Sequence, residues 1–320
     1  MLRLGSSTSI KPLLLAVLAI LTGATNSVAR SLTATSDSSP FPAEELQRGT
    51  TSTEVQCASI PLAAWVVVDG KGDCIRFYAS GLMPRINPEV FVYFEGDHLT
   101  NDLRILGNYD KKSPASIQQE VDLRAAQSGK PYLFIGRPGT YGSSGFHGDR
   151  RRPREGKLII AALDAIKAKY NIGTYHMAGQ SGGGGLVATM LNMRGDIGCA
   201  VIASGAVSVW MLAAQKGRNR DTNNSTDSYD PVDHVADIRK SPALRIFVLS
   251  SRHDQNVLFK TQEHYVKQLR RVGLAPVHVE LPGTGTSFHG LSEFAKPALG
   301  WCAQGLPDAE IRRRLEARTQ

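Results

Sequence analysis

The chain has 320 residues, 42% of them hydrophobic and 21% charged, with 37 Lys and Arg against 29 Asp and Glu for a net charge of +8. That apolar share excludes a chain too polar to form a core, and no internal repeat is found. The moderate basic excess includes Arg3 and Lys11 of a leader, and the densest cluster, "DRRRPRE" at 149–155, has no interleaved aromatics to stack bases. No nucleic-acid partner is expected, and the cluster reads as a solvated loop entering a helix.

Residues 1–29 read as a signal peptide. Arg3 and Lys11 give a positive start, Leu13 to Leu21 a short apolar core, and Ser27-Val28-Ala29 the small residues of a cleavage site. The apolar run is about half the roughly 20 residues a membrane span needs, and no cysteine near the cut indicates a lipid anchor. A secreted or periplasmic protein, with no stable membrane anchor after cleavage, is expected. Residues 30–55, rich in Ser, Thr and Pro, read as a flexible mature N-terminus, and 56–320 as one α/β domain.

Along that domain, "LAAWVVVDGKGDCIRFYAS" predicts an antiparallel hairpin turning at Asp-Gly. "EVFVYFEG" and "PYLFIGRPG" are short apolar strands. "KLIIAALDAIKAKYNIG" has helical spacing and a stop at Gly173. "TYHMAG", "IGCAVIASG", "SPALRIFVLSS" and "APVHVELPG" are further strands. "GGLVATMLNM", "NVLFKTQEHYVKQLRRVG" and "SEFAKPALGWC" are helices. Strands that are apolar throughout and alternate with helices predict a three-layer α/β sandwich, its sheet mostly parallel with an N-terminal antiparallel hairpin. Ligands on such sheets gather at the carboxyl ends of the strands.

The four cysteines, Cys57, Cys74, Cys199 and Cys302, allow three connectivities in an exported chain. Proximity in sequence favours Cys57–Cys74 and Cys199–Cys302, with buried free thiols as the alternative. No Cys/His or carboxylate spacing suggests a metal, and no cofactor is expected.

"TYHMAGQSGGGGLVATMLNM" carries the chemistry. Ser181 lies between a strand and a helix, and Gly179 and Gly183, two residues to either side, leave room for a tight turn that exposes its hydroxyl. The following helix points its positive end at the turn, where the Gly182 N–H can face an oxyanion. The alternative, a phosphate-gripping glycine loop, lacks the Lys-Ser/Thr ending, and no G-x-G-x-x-G opens the first βα unit. A serine nucleophile needs a base and an acid to orient it, in the order Ser, acid, His along this kind of sheet. Asp254 follows "LRIFVLSS" and His289 follows "VHVEL", both in place and in order. Glu263 and Asp233 are the rivals for the acid, and a surface histidine is the alternative reading of His289. A second oxyanion donor is expected in the loop Glu95-Gly96-Asp97-His98, at the Asp97 N–H or, failing that, Gly96. Asp97 suits that place only if its carboxylate points away.

These residues resemble the α/β-hydrolase fold, and within it the prolyl oligopeptidase-type and dienelactone hydrolase-like branch, over about 90–291. The resemblance rests on Gly179-Gln180-Ser181-Gly182-Gly183-Gly184, on "RPGTYGSSG" at 137–145, and on "SSRHDQNVLFKTQEHYVKQLRRVG". In the last of these an acid three residues before Val257 precedes a helix carrying Phe259, Tyr265 and Leu269. It implies Ser181 as nucleophile, Asp254 as acid and His289 as base. The sequence departs from the esterases that carry H-G-G-G, since "EGDH" stands there. No β-propeller precedes the domain, so a large oligopeptidase is not expected. The polar, Asn-rich stretch 213–235, where this fold places cap insertions, reads as a short loop with little lid.

The expected function is that of an exported serine hydrolase, carboxylesterase-like, cleaving an ester or amide of a small molecule or peptide through an acyl-enzyme. The alternatives are a prolyl oligopeptidase-type peptidase, a non-catalytic binding protein on the same fold, and a cofactor-binding oxidoreductase. Filled triad positions argue against the second and the missing glycine fingerprint against the third. Nothing in the sequence indicates the oligomeric state.

Overall fold

A computed structural model describes residues 36–219 and 225–318. The expected signal peptide at 1–29 lies outside the described residues. In chain order the elements are α1 (Ala43–Arg48), α2 (Glu54–Ala58), β1 (Ala63–Val68), β2 (Lys71–Ser80), β3 (Asn87–Phe94), α3 (Pro114–Ser128), β4 (Tyr132–Ile135), α4 (Pro153–Tyr170), β5 (Ile172–Gln180) and α5 (Gly182–Met193). They continue with β6 (Ile197–Ala203), α6 (Val209–Gln215), β7 (Arg245–Ser250), α7 (Phe259–Arg271), β8 (Val277–Glu280), α8 (Ser292–Ala303) and α9 (Asp308–Ala317).

The strands form one eight-stranded sheet in the order β1-β2-β4-β3-β5-β6-β7-β8. β1 pairs antiparallel with β2, and β2 antiparallel with β4. Every remaining pair is parallel. The hairpin turns where the sequence predicts, at Asp69 and Gly70, both with positive φ (52° and 75°) as a two-residue turn of matching twist requires. Alternate residues of each central strand face opposite layers. Val90, Val92 and Phe94 of β3 pack with α4, α5 and α7. Phe91 and Tyr93 pack on the other face with α3, α8 and α9. Both faces are covered, which is why the strands are apolar throughout.

Local signals explain most boundaries. Ser113 and Ser116 form a capping box at the start of α3, Pro114 is its first residue, and Gly129 ends it at φ 62°. α4 opens on Pro153 and stops at Asn171 in the left-handed region (φ 48°). The expected stop at Gly173 is therefore corrected: Gly173 lies inside β5. A Cβ there would stand 2.5 Å from the Pro88 carbonyl oxygen, so this glycine lets β5 lie close to β3.

Two expectations are revised by packing. From Ser36 onward, the segment read as a flexible mature N-terminus is docked on the domain. Leu46 of α1 is fully buried, and Phe41 stacks edge-on to Tyr141 and tilted to Tyr109. Thr50 and Gly145 exchange backbone hydrogen bonds of 2.9 and 2.8 Å. Few apolar residues stand in this segment, but they are the ones buried. The basic cluster at 149–155 is not a solvated loop either, since Arg150 is only 4% exposed and turns into the molecule.

Two disulfides join Cys57 to Cys74 and Cys199 to Cys302, with Cα separations of 5.5 and 6.1 Å. The first fixes α2 on β2, and the second fixes α8 on β6. In the stretch 213–235, residues 220–224 lie outside the described ones. Buried Asp230 accepts hydrogen bonds from Val209 N (2.9 Å) and Trp210 N (3.0 Å), which caps the start of α6. Among the described residues no helix is long and apolar enough to cross a membrane.

Candidate active site

Ser181 sits between β5 and α5 at φ 57° and ψ −123°, a conformation that costs a residue with a side chain on the order of 1–3 kcal/mol. The turn is held from several sides. Ser181 N–H donates to the Ala203 carbonyl (2.9 Å), and its carbonyl accepts from Gly185 N and Ala206 N (both 3.0 Å). The glycines serve close approach. A Cβ on Gly179 would meet the Gly183 carbonyl oxygen at 2.4 Å, and one on Gly183 would meet that of Phe94 at 2.2 Å.

His289 lies in the loop between β8 and α8, and Asp254 in the loop after β7. Asp254 is 3% exposed. Its Oδ1 accepts from Asn256 N (2.8 Å) and Val257 N (2.9 Å), which fixes the carboxylate's direction. Both its oxygens reach His289 Nδ1, at 3.0 and 2.8 Å. That contact leaves Nε2 as the ring nitrogen available for proton transfer. No hydrogen bond joins Ser181 Oγ to the ring among the described residues, a looseness common in sites without substrate. Of the rival acids, Asp233 lies in the 3-10 turn Pro231–Asp237 and Glu263 on α7, and neither bonds a histidine.

Ser181 and His289 open into one cavity of about 740 Å³, lined also by Gly96, Asp97 and Gln180. It lies at the carboxyl ends of the strands. Gly96 packs on Ser181, for a Cβ on it would stand 3.2 Å from Ser181 Cβ. The Asp97 carboxylate lies against Gly182, where a Cβ would stand 1.9 Å from its Oδ1, and a cage of arginines holds it there. Oδ1 accepts from Arg137 Nη1 (2.9 Å), and Oδ2 meets Arg150 Nε (3.3 Å) and Arg151 Nη2. Burial opposes the charge on Asp97, but Arg151, Arg150 and Arg137 hold its carboxyl well below the usual carboxylate range. The Asp97 N–H finds no acceptor among the described residues. The next N–H, of His98, is taken by His147 Nε2 at 3.1 Å. Among the described residues no group of three or more His, Cys, Asp or Glu side chains could hold a metal ion.

Residues 157–288 match the model of the prolyl oligopeptidase family, a span that takes in Ser181 and Asp254 and stops one residue before His289. Three solved structures share the fold. Acylaminoacyl peptidase from Pyrococcus horikoshii aligns with a TM-score of 0.53 at 12% identity, over 76% of this chain and 39% of its own. Est1E from Butyrivibrio proteoclasticus, with ferulic acid bound, aligns with a TM-score of 0.52 at 17% identity, over 76% of this chain and 98% of its own. Prolyl oligopeptidase B from Galerina marginata aligns with a TM-score of 0.51 at 15% identity, over 76% and 36%. The chain therefore has the α/β-hydrolase fold, and its residues 157–288 are similar to the prolyl oligopeptidase family.

The chain spans about two fifths of the acylaminoacyl peptidase chain and nearly all of Est1E. No curated protein matches it in sequence. Its site contains residues that sequence reasoning missed. Gln180 clamps the loop that carries the histidine: its Oε1 accepts from Leu291 N (2.9 Å) and its Nε2 donates to the His289 carbonyl (3.3 Å). Arg137, 2% exposed, spans Asp97 and Glu155, donating to Glu155 Oε1 at 2.8 Å. Glu95, beside the candidate oxyanion donor, accepts from Lys112 Nζ (2.6 Å) and from the Tyr141 hydroxyl. Burial opposes the ionisation of Glu95, but His98 and Lys112 outweigh it and hold this carboxyl far below its ordinary range. Apart from Glu95 and His98, three positions apart, these contacts join residues distant in the chain, so no local pattern announces them.

Proposed function

We propose that the protein is an exported serine hydrolase that cleaves a carboxylic ester, or an amide, through a Ser181–His289–Asp254 relay. The observation that supports this most is the pairing of a doubly hydrogen-bonded Asp254–His289 couple with a strained Ser181 in one cavity. In the mechanism, His289 Nε2 takes the Ser181 hydroxyl proton as Oγ attacks the substrate carbonyl. Asp254 holds the ring in the Nδ1–H form and stabilises the imidazolium. The Gly182 and Asp97 N–H groups receive the oxyanion. His289 then protonates the leaving alcohol or amine, and the acyl-enzyme is resolved by a water that the same ring deprotonates.

An ester is the favoured substrate, because the likeness to Est1E extends over nearly that whole chain. A prolyl oligopeptidase-type peptidase is the second reading, favoured by the family match over 157–288. A non-catalytic binding protein is a weaker third, since it leaves the Ser181 strain without a use. Export is supported by the leader sequence at 1–29 and is compatible with two disulfides. Turnover of short 4-nitrophenyl esters set against aminoacyl-arylamides tests the reading. Ester cleavage that Ser181→Ala abolishes supports it. Faster amide cleavage shifts the assignment to the peptidase, and cleavage of neither refutes both.

A further inference from the structure

The Ser181 cavity carries an uneven charge. Six of its lining residues are cationic and three acidic, and each acid is already engaged. Asp102 holds Arg104, Glu95 holds Lys112, and Asp97 holds the arginine cage. Lys216 and Arg218, at the end of α6, are left with no carboxylate partner among the described residues. Lys216 Nζ donates to the Asn256 carbonyl at 2.6 Å. That contact sets the ammonium beside the loop that also holds Asp254, on the wall shared with Ser181 and His289. Burial depresses the Lys216 pKa, and repulsion from Arg218 and Arg151 adds to it. Cations that line a cavity whose acids are already paired form a receptor for an anion.

We propose that the substrate is an ester or amide bearing a carboxylate, which Lys216 and Arg218 receive while the scissile carbonyl lies at Ser181. The inference rests on the hydrolase reading and adds the substrate's charge to it. Surface-exposed cations act through a partly screened Coulomb attraction, so the expected preference is about tenfold and declines as salt is added.

The test compares mono-4-nitrophenyl adipate with 4-nitrophenyl hexanoate, two esters of the same acyl length that differ in one negative charge. The wild-type chain is expected to favour the adipate in kcat/KM by about tenfold at low salt. That ratio should fall to about one in Lys216→Ala/Arg218→Ala. Lys216→Glu/Arg218→Glu should reverse it toward an ester carrying a trimethylammonium group. Both positions are exposed, so these variants should keep the fold. Equal turnover of the two esters, or a preference that survives the double substitution, overturns the inference and leaves the hydrolase reading standing. If neither ester is cleaved and Ser181 does not react with a fluorophosphonate, the hydrolase reading falls and the inference falls with it.

Discussion

Ser181 combines a positive φ with a side chain, and three backbone hydrogen bonds, to β6, the loop after it and α5, hold it there. Asp254 is fixed just as firmly, by two backbone N–H groups that aim its oxygens at His289 Nδ1. An amide in place of the carboxylate keeps the volume but can present its NH₂ to Nδ1, favouring the tautomer with its proton on Nε2. Asp254→Asn is therefore expected to lower kcat by about 10³–10⁴-fold with little change in thermal stability. Stopped-flow or steady-state turnover of a 4-nitrophenyl ester measures this, and a loss below about tenfold would remove Asp254 from the proposed relay. Asp97 illustrates what residue-by-residue reading cannot reach. Its place as an oxyanion donor depends on where its carboxylate points, and the groups that hold that carboxylate, Arg137, Arg150 and Arg151, come from 40 or more positions downstream. Charge clusters such as "DRRRPRE" look solvated until the acid they surround is known.

Among the elements, periodicity identified the hairpin, the parallel strands and the helices flanking Ser181, because burial on both faces leaves strands without polar positions. α3 was missed. Its buried positions, Ile117, Gln118, Val121 and Ala125, have helical spacing, but a buried Gln and a half-exposed Leu123 dilute the apolar stripe. α9 buries only Ile311 and Leu315, too few to signal a face. The docked segment carrying α1 has the composition of a tail for the same reason: averages hide a few anchors such as Phe41 and Leu46. Burying Phe41 and Leu46 contributes about 3–6 kcal/mol as an upper bound. A chain starting at residue 50 is accordingly expected to melt several degrees below one starting at residue 36, by calorimetry or circular dichroism. Equal melting temperatures would mean that the segment adds nothing to the domain's stability.

For the whole molecule, the fold class followed from the alternation of strands and helices, whereas the crossing of β3 and β4 in the sheet did not, because register between distant strands has no local code. The molecule's response to acid also belongs at this scale. Burial depresses His147, with Arg137 and Arg150 adding to it, and burial likewise depresses His176 and His278. For each, the folded-state pKa lies below the unfolded value of 6.5. Their stabilising contribution is thus complete above pH 6.5 and is lost as the pH falls, because the unfolded chain binds protons that the fold refuses. Each histidine can contribute a slope of up to about 1.4 kcal/mol per pH unit in that window. Urea unfolding between pH 7 and about pH 5.5 should show falling stability, with a shallower slope in His147→Gln. Identical slopes would mean that His147 becomes protonated in the fold as easily as in the unfolded chain.

The central claim is that Ser181 is an activated nucleophile. Treating the protein with a fluorophosphonate and mapping the adduct by peptide mass spectrometry tests it most directly. One covalent phosphonyl group is expected, on Ser181, absent from Ser181→Ala and formed several orders of magnitude more slowly in His289→Ala. A folded wild-type protein that takes up no label, or a Ser181→Ala variant that labels as fast as wild type, would contradict it.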